Sequence, residues 1–310
     1  MVRASRYWPN VYLGRPGALT SLPWPRGDVD MSYEKAVSDF VTSTGQHLMS
    51  SQPLGSRLIT LSWKALHADN FSLLEQYWTG MAGVGPWAFI NPSTSNMLLP
   101  NQASATSTLY DTTGWKTSTG ATNEGTLFSN STTTFLHQAI RPRSLQWQFT
   151  TSPITTPLLM VSPPYRNWFG IPAVTGLPYT WSTWLTPDGT VDSSITVKMR
   201  LRWLDATGAT LSDSEDSATA VTTFTQRSVT ATAPANTAYV SPMVVVTGSS
   251  VTTGASLYLD EPLLEQDNVI NSWVPGTGVR PVEILSLSET TPFDAKWRKG
   301  VTMAIRELVQ

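Results

Sequence analysis

The chain of 310 residues contains no cysteine. Disulfide frameworks, cysteine-ligated zinc and thiol nucleophiles are therefore excluded. Histidine is nearly as scarce. His47, His67 and His137 are the whole set, far apart and without the HExxH-type spacing that places two imidazoles on one metal. Charge is thin as well: charged residues make up 14%, against roughly 25% in an average soluble domain. The formal net charge is −2, so no nucleic-acid partner and no electrostatic pull toward an anionic membrane is expected. No apolar run approaches the roughly 18 residues of a membrane-crossing helix, so no membrane insertion is expected either. The opening MVRASRYWPNVYLGRPG lacks the apolar segment of a secretory signal peptide, and the expectation is a protein made in the cytoplasm without an export signal. A GxSxG elbow, a P-loop and a GxGxxG turn are missing too.

Apolar residues at 40%, with 13 tryptophans and 22 prolines, are what the chain does have. Serine and threonine supply the polarity that charge does not. Short apolar runs separated by Thr, Ser, Gly and Pro predict a mainly β protein with many turns.

Three zones differ in pattern. Over 1–98, Arg57–Lys64 alternates with Ile59, Leu61 and Trp63 on one face, which predicts a strand. Asp69 or Asn70 then offers an N-cap, and Phe71, Leu74, Trp78 and Met81 follow at helical spacing, so a helix over 69–81 is expected, ended by Gly80, Gly83 and Gly85. Pro86–Asn91 reads as a short aromatic strand. Residues 99–278 are rich in Thr and Ser and show no helix. Strands are expected at 178–185, 195–204, 224–232, 238–246 and 256–260, a spacing that predicts a jelly-roll-like β-sandwich. Within the second of these, Lys198, Arg200 and Arg202 alternate with the apolar Val197, Met199, Leu201 and Trp203, as in a half-solvated sheet. Residues 279–310 carry two strands that are marginal alone and need a sheet to join. The expectation is one discontinuous domain over 1–98 and 279–310, with the sandwich of 99–278 inserted.

Catalytic pairs are hard to find. Asp260 and Glu261 are neighbours on a predicted strand, where adjacent side chains point to opposite faces. They do not by themselves form the facing carboxylates, about 5–9 Å apart, of a glycosidase. Aromatic residues are the stronger lead, because pyranose C–H groups pack on ring faces while hydroxyls take polar partners. Trp115, Trp147, Tyr165 and Trp168 lie in loop-like surroundings and are the glycan-binding candidates, with Phe169 beside them. Trp181, Trp184 and Trp203 lie on predicted strands, where core packing is the ordinary role. Asp260, ending the last strand, is a candidate calcium ligand, although calcium takes about six to eight oxygens and one aspartate does not make a site. Leu263–Gly278 reads as a joint. Trp273 is expected to plug the seam between the two domains, with Pro275 and Gly276 turning the chain back.

The middle zone resembles the carbohydrate-binding-module-like sandwiches carried by tail proteins of phages of actinobacteria. The residues that carry this are Asn96–Ala103, Tyr179–Trp184, Arg202–Gly208, Ala231–Pro234, Leu257–Gln266 and Ser272–Gly278. The flanks, through Trp63, the Asp69–Met81 segment and Gly85–Pro92, are similar to the host domain of tail-tip proteins of the distal-tail or minor-tail class. That resemblance implies a β domain with one helix that assembles as a homo-oligomeric, hexameric ring in the virion tail tip. The ring would join the tail tube and other tail-tip proteins to the host-recognition apparatus, with the sandwich contacting host cell-wall glycan or acting as scaffold. It also implies calcium at Asp260, no other cofactor, and no catalysis. A stand-alone glycan-binding protein and a glycan-cleaving depolymerase are the alternatives.

Overall fold

The computed structural model describes residues 10–25, 29–34, 37–41, 47–51, 56–91, 96–104, 114–117, 125–131, 134, 136–137, 144–149, 158–188, 196–247, 254–290 and 297–308. The chain divides into two compact units, Met1–Arg15 with Leu19–Asn91 and Arg280–Gln310, and Pro16–Ala18 with Pro92–Val279. In chain order the strands of the first unit are β1 (Asn10–Arg15), β2 (Ala18–Pro23), β3 (Val29–Glu34), β4 (Val37–Val41), β5 (His47–Ser51) and β6 (Ser56–His67), then helix α1 (Ala68–Trp78) and β7 (Trp87–Ile90). The second unit runs through α2 (Pro100–Ser104), β8 (Trp115–Thr117), β9 (Thr126–Asn130), β10 (Ser144–Gln148), β11 (Leu158–Val161), β12 (Ile171–Pro172) and β13 (Pro178–Pro187). It continues through β14 (Thr196–Leu204), β15 (Thr210–Glu215), β16 (Thr219–Ala220), β17 (Thr225–Thr232), β18 (Tyr239–Thr247) and β19 (Ser256–Glu265). The last strands, β20 (Pro281–Thr290) and β21 (Arg298–Glu307), return to the first unit.

The first unit is built on a seven-stranded sheet in the order β2-β1-β7-β20-β21-β6-β3. The C-terminal hairpin therefore sits in the middle of the sheet, with Ile305 opposite Ile59 and Val282 opposite Trp87. Alternation on β6 buries Ile59, Leu61 and Trp63 with Val301, Met303 and Ile305 of β21. The Trp63 indole N–H donates to the Pro23 carbonyl at 2.7 Å. Helix α1 covers this core with Phe71, Leu74 and Tyr77. The expected apolar stripe is thus corrected. The helix stops at Trp78 and is capped by Thr79, whose N–H donates to the Glu75 carbonyl at 2.8 Å; the buried positions are 71, 74 and 77, and Trp78 and Met81 stay exposed. Its N-cap is His67, not Asp69 or Asn70. Glu307 lies buried between Arg57 and Arg280, pairing with the first and lying 3.5 Å from the second.

The second unit is a β-sandwich. One sheet has the order β17-β13-β19-β10-β9, the other β15-β14-β18-β11-β8 with β12 and β16 at its side. Fully buried Trp181, Trp203, Tyr179 and Trp147 fill the space between them. The Trp181 indole N–H crosses to the Met243 carbonyl of β18 at 3.1 Å, and Tyr179 meets Trp203 edge to face. On the solvent side of β14, Arg200 pairs with Glu215 of β15, and both nitrogens of the Arg202 fork reach Asp213 at 2.9 Å. Burial opposes ionisation of Asp213, but Arg202 and Arg200 outweigh it and hold its carboxyl below the usual range. The short helix α2 is a correction to the expectation of no helix after residue 98. Its five residues follow Leu99, whose carbonyl accepts from the N–H groups of Gln102 and Ala103.

Entry and exit of the sandwich are tied by one side chain. Asn96 is buried, and its amide donates to the carbonyls of Pro262 and Val274, both at 3.1 Å. Its oxygen accepts from the N–H groups of Leu98 at 3.1 Å and Leu264 at 3.3 Å. Replacing Asn96 by leucine leaves two carbonyls and two amides without that partner, and a loss of about 3 kcal/mol is expected. The measurement is the urea midpoint of the variant, and an unchanged midpoint would show the carboxamide to be dispensable.

Candidate functional site

Of the expected glycan-binding residues, three are inside the sandwich. Trp115 opens β8 and is buried against Trp181, its N–H donating to the Gln102 carbonyl at 3.1 Å. Trp147 alternates with Gln146 on β10 and points inward beside Phe149. Trp168 is buried in the turn after β11, with Tyr165 packed edge-on against it. These indoles present no open face to a sugar, which corrects the expectation: their surroundings look loop-like in sequence because β8 and β10 are short. Tyr165 is half-buried, and Phe169 is half exposed with its edge on Tyr239.

The seam residues lie within the second unit. The Trp273 N–H donates to the carbonyls of Ala103 and Pro262, both at 3.2 Å. Pro275 is exposed, and a Cβ at Gly276 would collide with the Leu98 carbonyl oxygen. The glycine is there because the returning chain passes directly against the entering one.

Asp260 serves the backbone. One carboxylate oxygen accepts the His137 N–H at 2.8 Å, and the other accepts the Glu261 N–H at 2.9 Å. Among the described residues, no group of three or more His, Asp or Glu side chains could hold a metal ion. Glu261 corrects a second expectation. Its φ of 51° is left-handed, and the pairing of β13 with β19 shifts register beside it, from Ser182–Leu263 to Trp184–Asp260. The bulge interrupts the alternation, so that both carboxyl groups reach His137, with Glu261 Oε2 3.5 Å from its Nδ1.

A different group of residues comes together on the outer face of the five-stranded sheet, away from the core. Register places Gln226, Trp184 and Asp260 in one cross-strand row. Thr186, Tyr258, Gln146 and Phe128 form the next. Asn130 donates to the Gln146 side-chain oxygen at 3.1 Å, and Gln146 donates to Ser256 Oγ at 3.0 Å, so the amide is held in one orientation. Burial, and after it the negative charge of Asp188, raises the Tyr258 phenol above its ordinary pKa against the opposing bond from Ser256, so it is neutral at physiological pH. The face is open at its margins, where Phe128 is 42% exposed and Gln226 and Thr230 face solvent. Its middle is covered: Thr180, Ser182, Ser144, Ser256 and Asp260 are all buried. His137 stacks on Trp184 with ring centroids 3.6 Å apart and planes at 12°, and Phe224 flanks it at 6.1 Å.

Sequence reasoning missed this face. The signal was parity: Trp181 and Trp184 are three residues apart on one strand, so they cannot both face the core. Trp184 is the outward one, which corrects its assignment to the core.

No protein-family model matches this chain, and no curated protein does. Among solved structures, it is similar to the enzymatically active domain of bacteriophage CBA120 tailspike protein 4, at 13% identity and a TM-score of 0.40 over 57% of this chain and 22% of that one. It is also similar to the arabinose-bound MgGH51 α-L-arabinofuranosidase, at 14% identity and a TM-score of 0.43, covering 57% of this chain and 27% of that one. The CBM22-1 xylan-binding domain from Paenibacillus barcinonensis Xyn10C aligns at 16% identity and a TM-score of 0.32, over 51% of this chain and 89% of that one. The chain thus spans about a quarter of the length of the first two. At such scores these likenesses lend no weight to any function.

Removing the Asp260 carboxylate leaves two backbone N–H groups without their acceptor. Asp260→Ala is expected to cost about 2 kcal/mol, read as a lower urea midpoint for the sandwich. Because both oxygens serve the backbone, a chelator is expected to leave the wild-type midpoint unchanged. A midpoint that falls on adding chelator would return Asp260 to the role of metal ligand.

Proposed function

We propose that the outer face of the five-stranded sheet binds glycan, and that the chain is a structural protein of a phage tail tip carrying this sandwich for host contact. The observation behind the first part is the open margin of this face, where Phe128 is exposed beside the half-buried Gln146, whose amide is held in one orientation, while Tyr258 and Thr186 of the same row are buried beneath. Ring faces take pyranose C–H groups, and the amide takes paired sugar hydroxyls. Two carboxylates of this face are already engaged, Asp260 by backbone amides and Glu265 by Asn271. The ligand this favours is a neutral oligosaccharide, bound and not cleaved. Calorimetric titration with neutral oligosaccharides is expected to show binding that Phe128→Ala or Gln146→Ala weakens about tenfold. Binding that survives both substitutions, or release of reducing sugar on incubation, would sink this reading.

The tail-tip part rests on the sequence resemblance and on one feature of the first unit. Trp78, Met81 and Val84, at the end of α1 and just beyond it, are 46%, 80% and 83% exposed, and Trp297 is 66% exposed. Large apolar side chains left in water at this density suit a surface that other subunits cover. Light scattering is expected to give a cyclic oligomer, reduced toward monomer by the double substitution Met81→Lys and Val84→Lys. A wild-type chain that is monomeric at micromolar concentration and in tail particles would overturn the assembly role.

A further inference from the structure

We infer that His137 is a specificity-determining residue, because its imidazole shields the indole of Trp184 from ligand. Trp184 is the largest ring on the outer face, and by alternation it stands beside the glycan row. One of its faces is taken by a near-parallel imidazole at 3.6 Å, too close for a sugar ring to enter. The main chain of His137 is anchored, its N–H donating to Asp260 at 2.8 Å, and the imidazole rests on Trp184 with its Nδ1 3.5 Å from the buried carboxylate of Glu261 but not hydrogen-bonded to it. The left-handed backbone of Glu261 is what brings that carboxylate to the same side as Asp260.

The surroundings fit a cover laid on a polar surface. The Ser182 and Ser144 hydroxyls are buried and find no hydrogen-bond partner among the described residues. Surface of this kind, hydroxyls beside an indole, is what a sugar would use if it were open. With His137 in place, ligand is confined to the margin that carries Phe128 and Gln146. The imidazole thereby sets how many sugar rings the face accepts. The shielding stands on geometry alone, whereas its effect on specificity rests on the glycan reading above.

The main-chain anchor to Asp260 survives any side-chain change at 137, so the ring can be removed with its segment still tied. Acrylamide quenching of tryptophan fluorescence reads the shielding. His137→Ala is expected to raise the quenchable fraction, and adding Trp184→Phe to that variant is expected to remove the gain. His137→Phe, which keeps a ring in place, is expected to match wild type. Quenching of His137→Ala equal to wild type would overturn the shielding. If His137→Ala fails to fold, Trp184→Phe alone decides. Shielding predicts a quenchable fraction that does not fall, because a shielded emitter is removed, and a fall overturns it. Titration with neutral oligosaccharides of increasing length reads the specificity. His137→Ala is expected to bind the longer ones about tenfold more tightly than wild type. Equal affinities would overturn the role in specificity. No binding by any form would overturn the glycan reading together with that role, while quenching would still decide the shielding.

Discussion

The side-chain amide of Asn96 joins stretches of chain that lie 166 to 178 residues apart. Its two N–H groups and its oxygen are matched to the carbonyls and amides of the last sandwich strand, the entering chain and the returning chain. The bonds to Pro262, Leu98 and Leu264 are buried and the one to Val274 is part-buried, and a buried peptide group without a partner costs more than its bond contributes when made. The carboxamide is planar, with donors on one side and acceptor on the other, so it fixes the three stretches in one relative position. Aspartate has the shape without the donors, and leucine has the volume without either. The Met97 N–H to Leu264 carbonyl bond at 2.8 Å and the Val279 N–H to Met97 carbonyl bond at 3.2 Å continue the same junction along the backbone. Gly276 permits it, because only a residue without Cβ passes so close to Leu98.

With the sandwich closed at its own base, the flanking segments are left to form one sheet. The hairpin β20–β21 is inserted between β7 and β6, so the C-terminal strands are central in a sheet otherwise built from the N-terminal part. Central strands are paired on both edges, which makes this hairpin indispensable to the first unit. Arg57 on β6 and Glu307 on β21 add a buried ion pair across that strand pairing, with Arg280 as a second cation. Buried pairs of this kind contribute little net stability, but removing one member leaves an uncompensated charge, so they specify which strands pair.

The outer face of the five-stranded sheet follows from a departure from regularity. A regular β19 would have sent Asp260 and Glu261 to opposite sides. The bulge at Glu261 brings both to His137, and the imidazole then lies on Trp184. The exposed Phe128 ring remains at the margin beside Gln146, which Asn130 and Ser256 hold in place. Irregular backbone and the proposed binding surface coincide, as is common where a bulge re-aims side chains.

Much of the fold was legible in the sequence. Period-two alternation over Arg57–Lys64 and Val197–Trp203 reports directly which side chains enter the core, because burial of one face is the dominant favourable term. The mainly β class, the helix after His67 and the two C-terminal strands follow from the same kind of local pattern. Composition likewise limited the chemistry, since a chain without cysteine and with three scattered histidines has few ways to build a metal or thiol centre. What only the tertiary structure decided was which aromatic rings stay accessible, the convergence of Asp260 and Glu261 on His137, and the role of Asn96. Each of these depends on contacts with partners distant in sequence, 70 or more residues away between β13 and β19. Local pattern carries no record of such partners, because a cross-strand neighbour is fixed by the pairing of whole strands and not by the residues beside it in sequence.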